Sequence, residues 1–374
     1  MKTRFVSVLA IGIGMSFCIP AMGQTASTED ASEAMSVARR TGWQLATLIV
    51  ETLKAGDQQK YPGIGAWLID FDNAAKGVDL KQPPDQWPVV DIDALVTNNP
   101  NFWQAHYEIA PGDPGLNTLH AGLLLSVGES TRASYLIAVA YQRPGIPKEL
   151  KQGLQILLVN TQAYAKKSND ITIRGNNLHD QGDYSGAMKE YQAAIALWPQ
   201  NGFAHYEMGN TLREQQTSKA GEKKLPPDKV IVNSGVKNSL EVDAAFAKAR
   251  KYDPFQLKAY QGTDQEVLRG LMALAKKGMP AWQKIASNPQ KKQADKVLED
   301  LADACQVAGI HDLALVTRQI LVARRKDYAP ADHPFISKSL RALAPGEQSE
   351  AVLKRLATGT LSVRQLVVPE RDEP

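Results

Sequence analysis

Cysteine is almost missing from this chain: two in 374 residues, Cys18 and Cys305. Cys18 falls in the amino-terminal apolar segment, so the rest of the protein carries one thiol and no internal disulfide. A buried structural role fits Cys305 better than catalysis, because Ala302-Asp-Ala-Cys305 is an Ala-rich helical context with no adjoining His. Charge of one sign is lacking too. Lys plus Arg is 43 against 40 for Asp plus Glu. The balance is about +1 without Lys2 and Arg4, which excludes the basic excess that non-specific nucleic-acid binding requires. No apolar run reaches the roughly 20 residues of a membrane span. Strand-like alternation is nearly absent. So are His-Glu-x-x-His, Gly-x-Ser-x-Gly, Walker and paired-cysteine signatures, which leaves no motif for a metal, cofactor or nucleophile.

What is present begins at the amino terminus. Met1-Lys-Thr-Arg4 is followed by an apolar run from Phe5 to Ile19 and by Pro20-Ala-Met-Gly23. This is the pattern of a secretory signal peptide cleaved after Gly23, and it places the protein in the periplasm or outside the cell. Residues 24–30 read as an unfolded polar leader. Residues 31–99 read as a helical and loop region, interrupted by Tyr61-Pro-Gly, Lys81-Gln-Pro-Pro and Trp87-Pro.

Beyond Pro100 the chain is periodic. Ile171, Gly175 and Leu178 are matched by His205, Gly209 and Leu212, each at the same separation, a period of about 34 residues. Between the two sets lies Gly182-Asp-Tyr184-Ser-Gly-Ala187-Met-Lys-Glu-Tyr191-Gln-Ala-Ala194, closed by Pro199. Pro100, Pro199 and Pro254 are each followed five residues later by Ala, and Ala-His-Tyr-Glu occurs at 105–108 and again at 204–207. Pro254 follows Pro199 by more than one such period, and the excess matches a Lys-rich insertion at 216–237. The relation of Gly175, Gly182 and Ala187 recurs as Ala121, Gly128, Ala133 and as Ala302, Gly309, Ala314.

The set at 168–254 resembles a tetratricopeptide repeat (TPR): a small residue and Leu in a first helix, Gly-Asp-Tyr at the turn, and small residues around Tyr191 in a second. The resemblance implies an all-α fold of antiparallel helical hairpins stacked into a right-handed superhelix. A TPR-like core would cover 100–254, divergent helical repeats 255–326, and a carboxy-terminal cap and tail 327–374. Residues 170–181 and 184–197 should form one hairpin, with small residues where its helices approach. The His residues of the Ala-His-Tyr-Glu copies are expected to pack between helices. His205 and Glu207 point about 200° apart on a helix, which suits no shared ion.

The resemblance further implies a concave groove, lined by first helices, that takes up a protein or peptide partner. The residues expected there are Thr172, Asn176 and His179 in one repeat and Tyr206, Asn210 and Arg213 in the next, with Phe203 at the edge. Asn176 and Asn210 directly follow the helix glycine, where TPR domains often carry an Asn. Members that grip a terminal carboxylate have a Lys four residues earlier. Here those positions are Thr172 and Tyr206, so that grip is not implied. The function expected is a non-enzymatic scaffold or adaptor in a cell-envelope assembly such as a secretion, pilus or exopolysaccharide system. The Lys-rich insertion reads as a solvated loop, with peripheral contact to an anionic envelope surface as its alternative. The alternative for the chain as a whole is an all-helical envelope enzyme acting on glycan through an acidic pair, for which Glu108, Asp113 and Glu129 are the first suspects.

Overall fold

The computed structural model describes residues 114–144, 148–219, 238–260, 265–325 and 332–358, with isolated positions before 114. The signal peptide, the leader, most of the 31–99 region, His106, Glu108, Asp113 and the interior of the insertion lie outside the described residues. Among the described residues there are helices and no strands: α1 Pro114–Ser126, α2 Ser130–Ala140, α3 Lys148–Asp180, α4 Tyr184–Leu197, α5 Gly202–Lys219, α6 Leu240–Tyr252, α7 Gln265–Ala273, α8 Met279–Ser287, α9 Asp295–Val307, α10 His311–Arg325, α11 Asp332–Leu343 and α12 Glu347–Ala357. These helices pack as successive hairpins, an all-α solenoid.

Three of the hairpins turn in the same way. Gly128, Gly182 and Gly309 have φ of 86°, 83° and 78°, a left-handed conformation that a side chain disfavours. Each glycine N–H bonds back to the third carbonyl before it, and the next residue bonds to the fifth before itself: Glu129 to Leu124 at 2.9 Å, Asp183 to Leu178 at 2.9 Å, Ile310 to Cys305 at 2.8 Å. That is a Schellman closure. The same residue then opens the second helix, its carbonyl accepting from Ala133, Ala187 or Ala314 at 2.9–3.0 Å. One residue thus ends one helix and begins the next, which sets the rotation of the second helix against the first. The spacing of small residues follows from it, and Ala121, Ala133, Ala187, Ala302 and Ala314 are all fully buried.

α3 and α4 form the expected antiparallel hairpin, capped by the Asp183 side chain, which accepts from Gly186 N–H. α3 is longer than the repeat requires, because it begins at Lys148 and spans 33 residues. α5 and α6 form the next hairpin, with the insertion between them in sequence. α5 continues to Lys219, so the break comes after that residue and not at Gln216 as the sequence suggests. The ends of the insertion meet: Ser239 N–H donates to Gln216 Oε1 at 3.1 Å, and the Ser239 hydroxyl caps α6 at Val242. The hairpin therefore survives the interruption. α7 and α8 are joined by a single π-helical turn, Leu274–Gly278, just before Pro280. A widened turn accommodates the amide hydrogen that proline lacks. α11 and α12 break at Pro345-Gly346, where φ of Gly346 is 145°.

The array curls so that α2 meets α8 and α10. Tyr135 of α2 stands edge-on to Phe255 and Trp282, with centroids at 5.0 and 4.5 Å. Its hydroxyl donates to Asp253 at 2.6 Å. Arg132 pairs with Glu129 and, at 3.2 Å, with Asp312 of α10. Arg324 donates to the Gln142 carbonyl at 2.7 Å, and Gln142 reaches the Pro289 carbonyl at 2.7 Å. Accordingly one apolar core runs from Trp103 and Leu124 through Leu136 and Phe255 to Leu301, Ile320 and Leu340. Cys305 lies inside it, fully buried, and burial pushes its thiol well above the usual range. No helix among the described residues is long and apolar enough to cross a membrane.

Candidate functional site

The two repeats at 168–254 share their packing rule. A Cβ placed on Gly175 would lie 2.5 Å from the Tyr191 ring, and one on Gly209 would lie 2.9 Å from the Phe246 ring. Phe246 is therefore the counterpart of Tyr191. Gly209 and Phe246 stand farther apart in sequence than Gly175 and Tyr191, and the insertion accounts for the difference. Ala194 and Ala249 are both fully buried, as are Ala204 and Ala259.

Between the repeats runs a buried polar seam. Asn201 Nδ2 donates to Ser168 Oγ at 2.7 Å, while Asn201 Oδ1 accepts from Ala204 N–H at 3.0 Å and caps α5. Ser168 donates to the Ala194 carbonyl at 2.8 Å. Thr172 belongs to this seam and not to a groove. It is fully buried and its hydroxyl donates to the Ser168 carbonyl at 3.0 Å. Tyr206 is likewise packed away, with its ring stacked on Phe246 at 5.9 Å. Both were expected on the concave stripe. The repeat period places them correctly on the first helices, but it does not distinguish a side chain that faces the groove from one turned toward the neighbouring hairpin.

The remaining expected residues are half-buried on the same helices. Asn176 Oδ1 accepts from the Tyr191 hydroxyl at 2.8 Å. His179 stands edge-on to Tyr184 at 5.2 Å, and its Nε2 lies 3.5 Å from the Glu214 carboxylate. Asn210 accepts from Arg213 Nη2 at 2.8 Å, and the Arg213 guanidinium lies 5.5 Å from the centre of the Phe246 ring. Phe203 stands at the start of α5, half-buried. The stripe is thus cross-linked to its own hairpins, and Asn176 and Asn210 are not the freely exposed amides that the sequence suggests.

One residue of this face was not expected in it. Glu207, on α5 between Phe203 and Asn210, is pushed up to about 7, first by burial, with Asp180 and Glu214 adding to the rise and Lys258 and the Asn176 amide opposing it. The only signal for it in the sequence is its place at the end of Ala-His-Tyr-Glu. In the same motif His205 is buried, with Nε2 at 2.9 Å from the Pro199 carbonyl and its ring beside Tyr252 at 5.6 Å. Burial also lowers its pKa. It packs between helices, as expected. Glu129 is tied to Arg132, which is not the arrangement of a poised acid. Among the described residues, no three His, Cys, Asp or Glu side chains are disposed to hold a metal ion.

A family model described as TPR repeat matches residues 175–216. The match starts at the glycine beneath Tyr191 and stops at Gln216, the residue that clasps Ser239 across the insertion. No curated protein and no solved structure matches the chain. The repeat match and the hairpin geometry agree at residues 175–216, which are similar to a TPR repeat and lie within an array whose described residues are helical.

Proposed function

We propose that this protein is an exported, non-enzymatic scaffold that takes up a protein partner along the polar face of α3 and α5. The observation that carries the reading is the gathering of Asn176, His179, Glu207, Asn210 and Arg213, all half-buried, on adjacent first helices of a TPR-type pair. Side chains held this way are already ordered, so less conformational entropy is lost when a partner arrives. TPR repeats suggest protein partners in general. A cell-envelope assembly, such as a secretion, pilus or exopolysaccharide system, is the setting that the amino-terminal sequence supports: a basic start, an apolar run of about 15 residues and small residues before Gln24.

Two measurements test the reading. Mass spectrometry of the protein recovered from the envelope fraction should find Gln24 at its amino terminus. Asn210→Ala with Glu207→Ala should weaken binding of the partner captured from envelope extract about tenfold or more when it is purified and titrated, at two polar contacts of about 0.5–1.5 kcal/mol each. The circular dichroism spectrum should not change. Unaltered affinity in a folded double variant would overturn the groove assignment.

A further inference from the structure

The two repeats at 168–254 differ in what covers their first helices. On α5 the side turned to the preceding hairpin is occupied: Ala204 packs with Ile171 of α3 and Ala194 of α4, Thr211 is fully buried, and between them Glu207 meets the Asn176 amide. One period earlier, on α3, the same positions are Asp170, Ile173 and Asn177. All three are exposed, Ile173 by 49%. The face that packs between repeats at α5 is therefore left uncovered at α3.

That face is a single row. Lys166, Asp170, Ile173, Asn177 and Asp180 alternate in spacing between four and three residues, which sets them within about 80° of one another around the helix, and all five are exposed. The side chains of Lys166, Asp170 and Asn177 hold no hydrogen bond or ion pair among the described residues. Asp180 lies 3.5 Å from His179 Nδ1 with its own side chain 81% exposed. Turned end for end, the row lands on itself: Lys166 opposes Asp180, Asp170 opposes Asn177, and Ile173 meets its own copy at the centre. Both ends are then complementary in charge, whereas a parallel alignment would set Lys166 on Lys166 and Asp180 on Asp180. Within one chain Lys166 and Asp180 stand about 21 Å apart along the helix and cannot pair with each other. A surface complementary to its own rotated copy is what a two-fold interface requires. We propose that this face of α3 is covered by α3 of a second copy of the chain, antiparallel, about a two-fold axis at Ile173. It lies on a different side of α3 from Asn176 and His179, and dimerisation does not depend on partner binding there.

The test is sedimentation equilibrium of the purified protein, which should show reversible dimerisation and no larger species. Lys166→Asp opposes Asp to Asp180 twice in each dimer and should weaken it about tenfold or more, and Asp180→Lys should do the same. The two together restore both pairs with reversed sign and should recover the wild-type affinity. Ile173→Cys should cross-link to its own copy under mild oxidation, while Lys166→Cys, about 21 Å from its copy, should not. Circular dichroism confirms that each variant is folded. A protein that stays monomeric up to about 200 μM, open-ended assemblies, undiminished dimerisation in either single charge variant, a folded double variant that does not recover, or equal cross-linking of the two cysteine variants would overturn the proposal.

Discussion

The Tyr191 ring occupies the space that a side chain on Gly175 would need. A Cβ at Gly175 would come 2.5 Å from Cε1, and the ring has no room to yield because its hydroxyl is fixed to Asn176 Oδ1 at 2.8 Å. In an isolated helix Ala is favoured over Gly by about 1 kcal/mol. Here overpacking, typically about 1–3 kcal/mol, opposes that gain. Gly175→Ala should therefore destabilise the protein in urea melts, and Gly175→Ala combined with Tyr191→Leu should recover part of the loss. A more stable single variant would refute the close packing.

Asn176→Ala and Asn210→Ala should differ in their effect on stability. Removing Asn176 takes the acceptor from the Tyr191 hydroxyl, a loss of about 1 kcal/mol. Asn210 accepts only from Arg213, whose guanidinium keeps its place over Phe246, so its loss should cost less than half as much. Denaturant midpoints of the two variants, compared at equal slope, decide the point.

Glu207 makes stability depend on pH in an unusual direction for a carboxylate. Its folded pKa is about 7 against an ordinary 4.5, so between those values the folded state holds more protons than the unfolded one. Stability then falls as pH rises through that window. Glu207→Gln should leave stability unchanged near pH 4 and raise it by about 1–3 kcal/mol at pH 8 relative to wild type. A variant no more stable at pH 8 than at pH 4, relative to wild type, would refute the shift.

One of the contacts that close the array is electrostatic. Asp312 is buried, which by itself would push its pKa up, yet the Arg132 guanidinium, with a smaller contribution from His120, holds it below the ordinary carboxylate value. Arg132→Met leaves Glu129 and Asp312 without that charge and should destabilise by about 3–5 kcal/mol near pH 7. Adding Glu129→Gln and Asp312→Asn should restore much of it. For wild type the contribution of Asp312 is present above its unfolded pKa and is lost as pH falls through the lower folded one. Urea melts of wild type and the two variants at pH 7, and at about pH 2.5, below the unfolded pKa of Asp312, measure both effects.

Much of the architecture is written in small residues. Ala121, Gly128 and Ala133 announce a hairpin because a Schellman turn whose last residue also opens the next helix fixes the rotation between the two, and that rotation fixes which positions must be small. The insertion is equally legible, since Pro254 follows Pro199 by more than one period, and the structure adds that Phe246 after it does the work of Tyr191 before it. The curling of the array is not legible. It rests on Tyr135 meeting Trp282 and on Arg132 meeting Asp312, contacts between residues far apart in the chain that no period connects. The division of the stripe is hidden for a similar reason. Thr172 and Asn176 occupy one helix face, and only the presence of Asn201 beside Ser168 draws the first into the seam.

The clasp between Gln216 and Ser239 makes the α5–α6 junction a natural port in the molecule. The chain leaves and returns at the same place, so the hairpin is indifferent to what is threaded between. Doubling the length of a flexible connection costs only about 0.6 kcal/mol. New termini placed there by circular permutation, or a reporter domain grafted between residues 220 and 237, should leave Phe246 over Gly209 and the rest of the array undisturbed. Lengthening the turn at Gly182 by even one residue would instead separate the end of α3 from the start of α4, because Asp183 serves both.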